Sequence, residues 1–189
     1  MAEILQSKLS LKKTEQMTKD YEIWYQDEVH FYRNSTICRM WAKRGIQPLV
    51  KSAPTQEKIA FSGFVNPATG ILFTTECEKF NFETTMEAVR IFLNEYKSDK
   101  KQLIILDNAS WHKKAVRLMR EDISFRGIDF LFLPPYSPEL NPIERVWRIT
   151  RKEKTHNRFF ETINILKDTL LSYFRGFIES NSKLTTLCS

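Results

Sequence analysis

Apolar and polar positions along the chain follow three different rhythms. YEIWYQDEVHFY (Tyr21–Tyr32) is aromatic and β-branched with a period of two, which predicts a strand. KIAFSGFVN and ILFTTE, joined by the turn Pro67–Gly70, predict a hairpin. Phe82–Tyr96 sets Phe82, Met86, Val89, Phe92 and Leu93 at helical spacing. The short apolar runs Gln102–Asp107 and Ile128–Leu133 read as buried strands. Between them, His112–Glu121 reads as an amphipathic helix that Ser110 is placed to cap. After the stiff loop PPYSPELNP a helix opens at Pro142 and runs into the basic string RVWRITRKEK. Phe160–Phe177 then carries Ile163, Leu166, Leu170, Phe174 and Phe177 on one face. Three meander strands followed by crossover strands and helices predict an α/β sandwich around a mixed sheet.

Composition narrows the class. The chain is 42% hydrophobic, enough for a real core, and its 5 Gly and 7 Pro exclude collagen-like and low-complexity proteins. Lys and Arg number 29 against 23 Asp and Glu, and the resulting +6 suits a polyanionic partner, most often nucleic acid. Cys38, Cys77 and Cys188 are odd in number and far apart, which gives neither zinc-ligand spacing nor a disulfide framework and fits a reducing compartment. The N-terminus lacks the apolar stretch of a signal peptide, and no apolar run is long enough to span a bilayer. The expectation is a soluble intracellular protein. Residues 1–20, polar and rich in Lys and Thr, read as a linker or the remnant of a missing N-terminal region.

Three carboxylates stand where carboxylates are costly. Asp27 shares strand parity with Ile23, Tyr25, Val29 and Phe31, so it faces the apolar side, where an acid needs a partner or a cation. A shifted register would instead leave it at the strand end. Its neighbour Glu28 points the other way and is expected to be solvated. Asp107 ends the apolar strand LIIL, where open α/β sheets collect ligands, although an Asp there can simply cap the next turn. Glu144 lies in NPIE, where Asn141, Pro142 and Glu144 could make a capping box. With Ile143, Val146, Trp147 and Thr150 packed, Glu144, Arg148 and Arg151 fall along the adjacent stripe. That stripe suits a cation beside a phosphate backbone, or a plain Glu144–Arg148 ion pair. Three acids from separate elements could hold two Mg²⁺ ions roughly 3.5–4 Å apart for in-line phosphoryl transfer.

Taken together, YQDEVHF, LIILDNASWHKK and LPPYSPELNPIERVWR resemble the catalytic domain of DDE transposases, in particular the insertion-sequence 630 family of the Tc1/mariner superfamily. The 36 residues between Asp107 and Glu144 are close to that group's spacing. The resemblance implies a ribonuclease-H-like fold, a mixed five-stranded sheet flanked by helices, which agrees with the element order. It divides the chain into a catalytic domain over residues 21–157 and a C-terminal helix, within 158–189, packing on or beside it. It implies Asp27, Asp107 and Glu144 as the catalytic, metal-binding triad, with Asp27 touching both ions of a two-metal Mg²⁺ site in which Mn²⁺ substitutes. It implies cleavage at transposon ends and attack of the freed 3′-hydroxyl on target DNA, by a homodimer in the DNA complex. A prokaryotic host would place the chain in the cytoplasm with DNA, a eukaryotic one in the nucleus. The N-terminal helix-turn-helix domains of full-length relatives have no room before Tyr21. The chain then reads as half of a split frame, a decayed copy or a catalytic fragment. An inactive DNA-binding remnant and a ribonuclease-H-like nuclease are the competing functions.

Further DNA-contact candidates follow from charge. The segment Val29–Gln56 contains no acid but carries Arg33, Arg39, Lys43, Arg44 and Lys51, five cations with no compensating charge. Trp41 within it could stack on a base or pack on the sheet. Lys113 and Lys114 could meet phosphate. His112 matches the family's DNxxxH pattern and could orient a carboxylate, contact a phosphate, or make only a local hydrogen bond at a helix start.

Overall fold

The computed structural model describes residues 20–34, 36–52, 54–135 and 137–188, so the linker expected over 1–20 lies outside it apart from Asp20. The alternating stretches form β1 (Tyr21–Tyr32), β2 (Lys58–Asn66) and β3 (Ile71–Cys77), and the two apolar runs form β4 (Lys101–Leu106) and β5 (Ile128–Phe132). They make one sheet in the order β3-β2-β1-β4-β5. β1, β2 and β3 pair antiparallel, while β4 lies parallel to β1 and β5 parallel to β4. This is the expected mixed five-stranded sheet. The ribonuclease-H-like expectation is borne out.

Helices cover both faces. On one, α1 (Phe82–Glu95) and α2 (Ser110–Glu121) bury Ala88, Val89, Phe92, Ala115, Val116 and Met119 against Trp24, Phe64, Ile104 and Leu106. On the other, α3 (Ile143–Thr150), α4 (Ile163–Arg175) and α5 (Ser182–Cys188) pack Ile143, Val146, Trp147, Leu166, Leu170, Phe174 and Leu184 on Val29, Phe31, Phe61 and Val65. Two faces with two cores explain why β1 is lined with apolar groups at both parities.

Helix starts differ from expectation in two places. Asn81 and Thr84 make a reciprocal capping box at α1. Ser110, by contrast, is the first residue of α2 rather than its cap, and the N-cap Ala109 offers no side chain. The NPIE box does not form either. Asn141 is buried, and its amide donates to the Gln26 carbonyl of β1 (3.4 Å) and accepts from the Ile143 N–H (3.4 Å). Its hydrogen bonds are spent on tying α3 to β1, which leaves the Glu144 carboxylate free of capping.

Candidate active site

Strand register brings the first two acids together. In the parallel β1–β4 pair Tyr25 lies opposite Ile105, and Asp27 and Asp107 each follow two residues later. Both leave the sheet at the same level, at the carboxyl end of β4. Glu144, in the first turn of α3, completes one cleft of about 470 Å³ with Asp27, Asp107, Asn108, Lys113, Pro135 and Asn141. Among the described residues no three His, Cys, Asp or Glu side chains are drawn together closely enough to hold a metal ion as they stand. An open arrangement suits Mg²⁺, which keeps several waters and shares its shell with phosphate oxygens.

Asp27 depends on a glycine. Its antiparallel partner in β2 is Gly63, and a Cβ there would come within 2.4 Å of the Trp147 ring. The missing side chain lets the indole lie over β2 and donate its Nε1–H to Asp27 Oδ2 (3.2 Å). Burial, and then the charges of Glu144, Glu28 and Asp107, push the Asp27 carboxyl up to about 8, and only the Glu28 backbone N–H opposes the rise. A buried acid crowded by acids is the donor chemistry that a divalent cation relieves, so these residues fit the implied metal.

Asp107 is held differently. Its Oδ1 accepts from the Ala109 N–H (2.9 Å) and from His112 Nδ1 (2.5 Å), and this holds its carboxyl below the usual carboxylate range despite partial burial. His112 is fully buried, which, of the roles open to it, fits orienting a carboxylate rather than meeting a phosphate. Its Nε2 lies 2.9 and 3.0 Å from the two oxygens of Glu28. Burial works against its charge, but bonds to Asp107 and Glu28 override it and raise the imidazole to about 9. Glu28 is therefore not solvated. Its side chain is 6% exposed, and it also accepts from Gln26 Nε2 (3.0 Å) and Thr85 Oγ1 (3.3 Å). Helices over both faces leave neither parity of β1 open to water, and the element order already implied that cover. Trp147, read as a core residue, has a second duty at Asp27 that only the fold reveals.

Glu144 is exposed and makes no hydrogen bond or ion pair among the described residues, so the Glu144–Arg148 pair is absent. On its other side Arg148, Arg151 and His156 line a second depression, with the Arg151 guanidinium 5.6 Å above the Phe31 ring. Lys113 lines the acidic cleft, whereas the Lys114 ammonium sits over the Phe82 ring at 3.5 Å. Arg39, Lys43 and Arg44 lie exposed on the connection between β1 and β2. Arg33 does not belong with them: it pairs with Glu57 (2.6 Å) and donates to the carbonyls of Phe160 and Glu161. Trp41 is fully exposed rather than packed on the sheet. The root of this connection is fixed beside the second depression, where Thr36 bridges His156 and the Cys38 N–H donates to Asn157 Oδ1 (2.8 Å). None of the described helices is long and apolar enough to cross a membrane.

This fold is shared with known proteins. The chain belongs to the DDE superfamily endonucleases, whose family model matches residues 22–167. The insertion-sequence 630 resemblance is borne out as well. The chain is 26% identical over 148 residues to the "Insertion element IS630 uncharacterized 39 kDa protein" of Shigella sonnei, a match covering 77% of this chain and 42% of that protein. In fold it matches the Mos1 transposase paired-end complex with left transposon end (TM-score 0.70, 14% identity, 96% of this chain and 55% of that one). It also matches the Mos1 mariner paired-end complex with Mn (TM-score 0.66, 16% identity, 96% and 55%). The chain thus spans about half the length of these relatives or less.

Proposed function

We propose that this chain is the catalytic part of a DNA transposase, cutting DNA at transposon ends and joining the freed 3′-hydroxyl to target DNA. One observation carries the reading: Asp27, Asp107 and Glu144, from three separate elements, line a single cleft. They would hold Mg²⁺, or Mn²⁺ in its place; bound there, the metal would supply Lewis-acid stabilisation of phosphoryl oxygens and activation of the attacking hydroxyl or water. The protein's own part is positioning. Trp147 orients Asp27, His112 orients Asp107, and the exposed Glu144 carboxylate faces them from α3 across the cleft. Lys113 inside the cleft, with Arg148 and Arg151 across the Glu144 ridge, would receive DNA phosphates, and Arg39, Lys43 and Arg44 would add contacts from the β1–β2 connection. Two copies would act together on paired ends, as the name of the Mos1 paired-end complex suggests by analogy.

The test is nicking of supercoiled plasmid in Mg²⁺ or Mn²⁺ against EDTA, with Asp107→Ala alongside and an RNA–DNA hybrid as a second substrate. Metal-dependent nicking of duplex DNA, lost in the variant, is the expected result. DNA binding without nicking would leave the inactive remnant, and preference for the hybrid would leave the ribonuclease-H-like nuclease.

A further inference from the structure

Beyond the triad, the cleft rests on a buried chain of hydrogen bonds that runs through the sheet's other face. Asp107 Oδ1 is taken twice, by His112 Nδ1 and by the Ala109 N–H, while Oδ2 accepts nothing among the described residues. The Asp107 side chain is half exposed, so that unclaimed oxygen is the one offered to the cleft. Behind it, both nitrogens of the fully buried His112 face carboxylates, which only accept; an imidazole meets both only by donating from both, as the cation. Glu28 is in turn fixed by Gln26, itself bonded to Ser62 (2.9 Å), and by Thr85. Glu28 thus fixes the far edge of the ring whose Nδ1 holds Asp107.

We propose that Glu28 and His112 are positioning residues that hold Asp107 rigidly, with Oδ2 as its metal-binding oxygen. This rests on reading Asp107 as a metal ligand, and outer partners of that kind commonly account for about 10–100-fold in metal affinity.

The experiment is Mn²⁺ titration of the purified chain, without DNA, for wild type, His112→Ala, His112→Asn, Glu28→Gln and Asp107→Ala. Thermal melts and DNA affinity in EDTA are measured in parallel. His112→Ala should weaken Mn²⁺ binding by about 10–100-fold, with DNA affinity unchanged and nicking regained at raised Mn²⁺. His112→Asn, whose amide can donate where Nδ1 did, should recover most of the lost affinity. Glu28→Gln, nearly isosteric, should weaken Mn²⁺ several-fold. If His112→Ala does not fold, Glu28→Gln decides. Folded His112→Ala and Glu28→Gln proteins that bind Mn²⁺ as wild type, while Asp107→Ala does not, would overturn the positioning role. Undiminished Mn²⁺ binding in Asp107→Ala would overturn the metal-site reading, and the positioning role with it.

Discussion

The two acids of the sheet and the one acid of the helix are built on opposite principles. Asp27 projects from within β1 and Asp107 from the end of the neighbouring β4, and each has an oxygen secured by a buried ring, the Trp147 indole in one case and the His112 imidazole in the other. Glu144 stands exposed at a helix start whose natural capping residue, Asn141, is committed elsewhere. Two fixed ligands facing one free ligand make a half-formed site. Rigid groups set where a cation sits with little ordering cost, and a free one can follow the phosphate as bonds are exchanged.

That contrast can be broken from its strongest side. Alanine at Asp27 or Asp107 should cut plasmid nicking by more than about a hundredfold, the upper cost typical of outer-shell partners alone. The loss should persist at high Mn²⁺. Glu144→Ala should lose as much turnover but less Mn²⁺ affinity, since the two fixed acids would still bind one ion. Equal loss of Mn²⁺ affinity in all three variants would show that the site is not divided in this way.

Next in size is the glycine beneath the indole. Gly63→Ala puts a methyl group into the Trp147 ring, and overpacking of this kind costs about 1–3 kcal/mol. The indole must tilt, so the bond to Asp27 should lengthen and nicking should fall along with the melting temperature. Trp147→Phe removes the N–H donor together with part of a buried ring. In a denaturant melt it should cost more than the roughly 1 kcal/mol of the hydrogen bond, because a cavity is left behind, and it should weaken nicking without harming DNA affinity. A Trp147→Phe protein with wild-type nicking would show that Asp27 needs no anchor.

Much of this was legible in the chain. The period of two in Tyr21–Tyr32, the PATG turn and the two apolar runs gave every strand within a residue or so, because period and turn chemistry are local. The stripe Ile143, Val146, Trp147 and Thr150 is the buried face of α3 as expected. What escaped was pairing at a distance. Glu28 and His112 are separated by more than eighty residues, and nothing local distinguishes a solvated Glu from one bonded to an imidazole across the fold. The NPIE box failed in part for the same reason: Asn141 reaches across to the Gln26 carbonyl of β1 while its oxygen accepts from the Ile143 N–H, and Glu144 does not close the box. Trp41, open to either base stacking or packing on the sheet from its sequence, stays fully in solvent.

The anchored side also predicts a pH dependence that the free acid does not. His112, raised from 6.5 to about 9, contributes stability that is fully present below 6.5 and lost as pH rises through 9. Asp27, raised from 3.8 to about 8, keeps its proton in the folded state, so its ionisation too costs stability as pH climbs toward 8. Both act in one direction. In EDTA the melting temperature should fall between pH 6.5 and 9, and Asp27→Asn should flatten part of that fall. Mn²⁺ replaces the Asp27 proton, so it should lift the melting temperature more at pH 8 than at pH 6. A melting temperature independent of pH across this range would remove the crowded-acid picture.

The smallest effect expected lies across the Glu144 ridge, where Arg148 and Arg151 differ as the acids do, one free and one held. Arg148 is exposed with no ion pair among the described residues, whereas Arg151 is half-buried over Phe31. A cation that neutralises one phosphate contributes about 0.9 to the slope of log affinity against log salt. Arg148→Gln should therefore flatten that slope by about 0.9 and leave the melting temperature alone. Arg151→Gln should flatten it similarly and also lower the melting temperature slightly, since it gives up its stacking contact with Phe31. If neither changes the slope while Lys43→Gln or Arg44→Gln does, the phosphates run along the β1–β2 connection rather than beside Glu144.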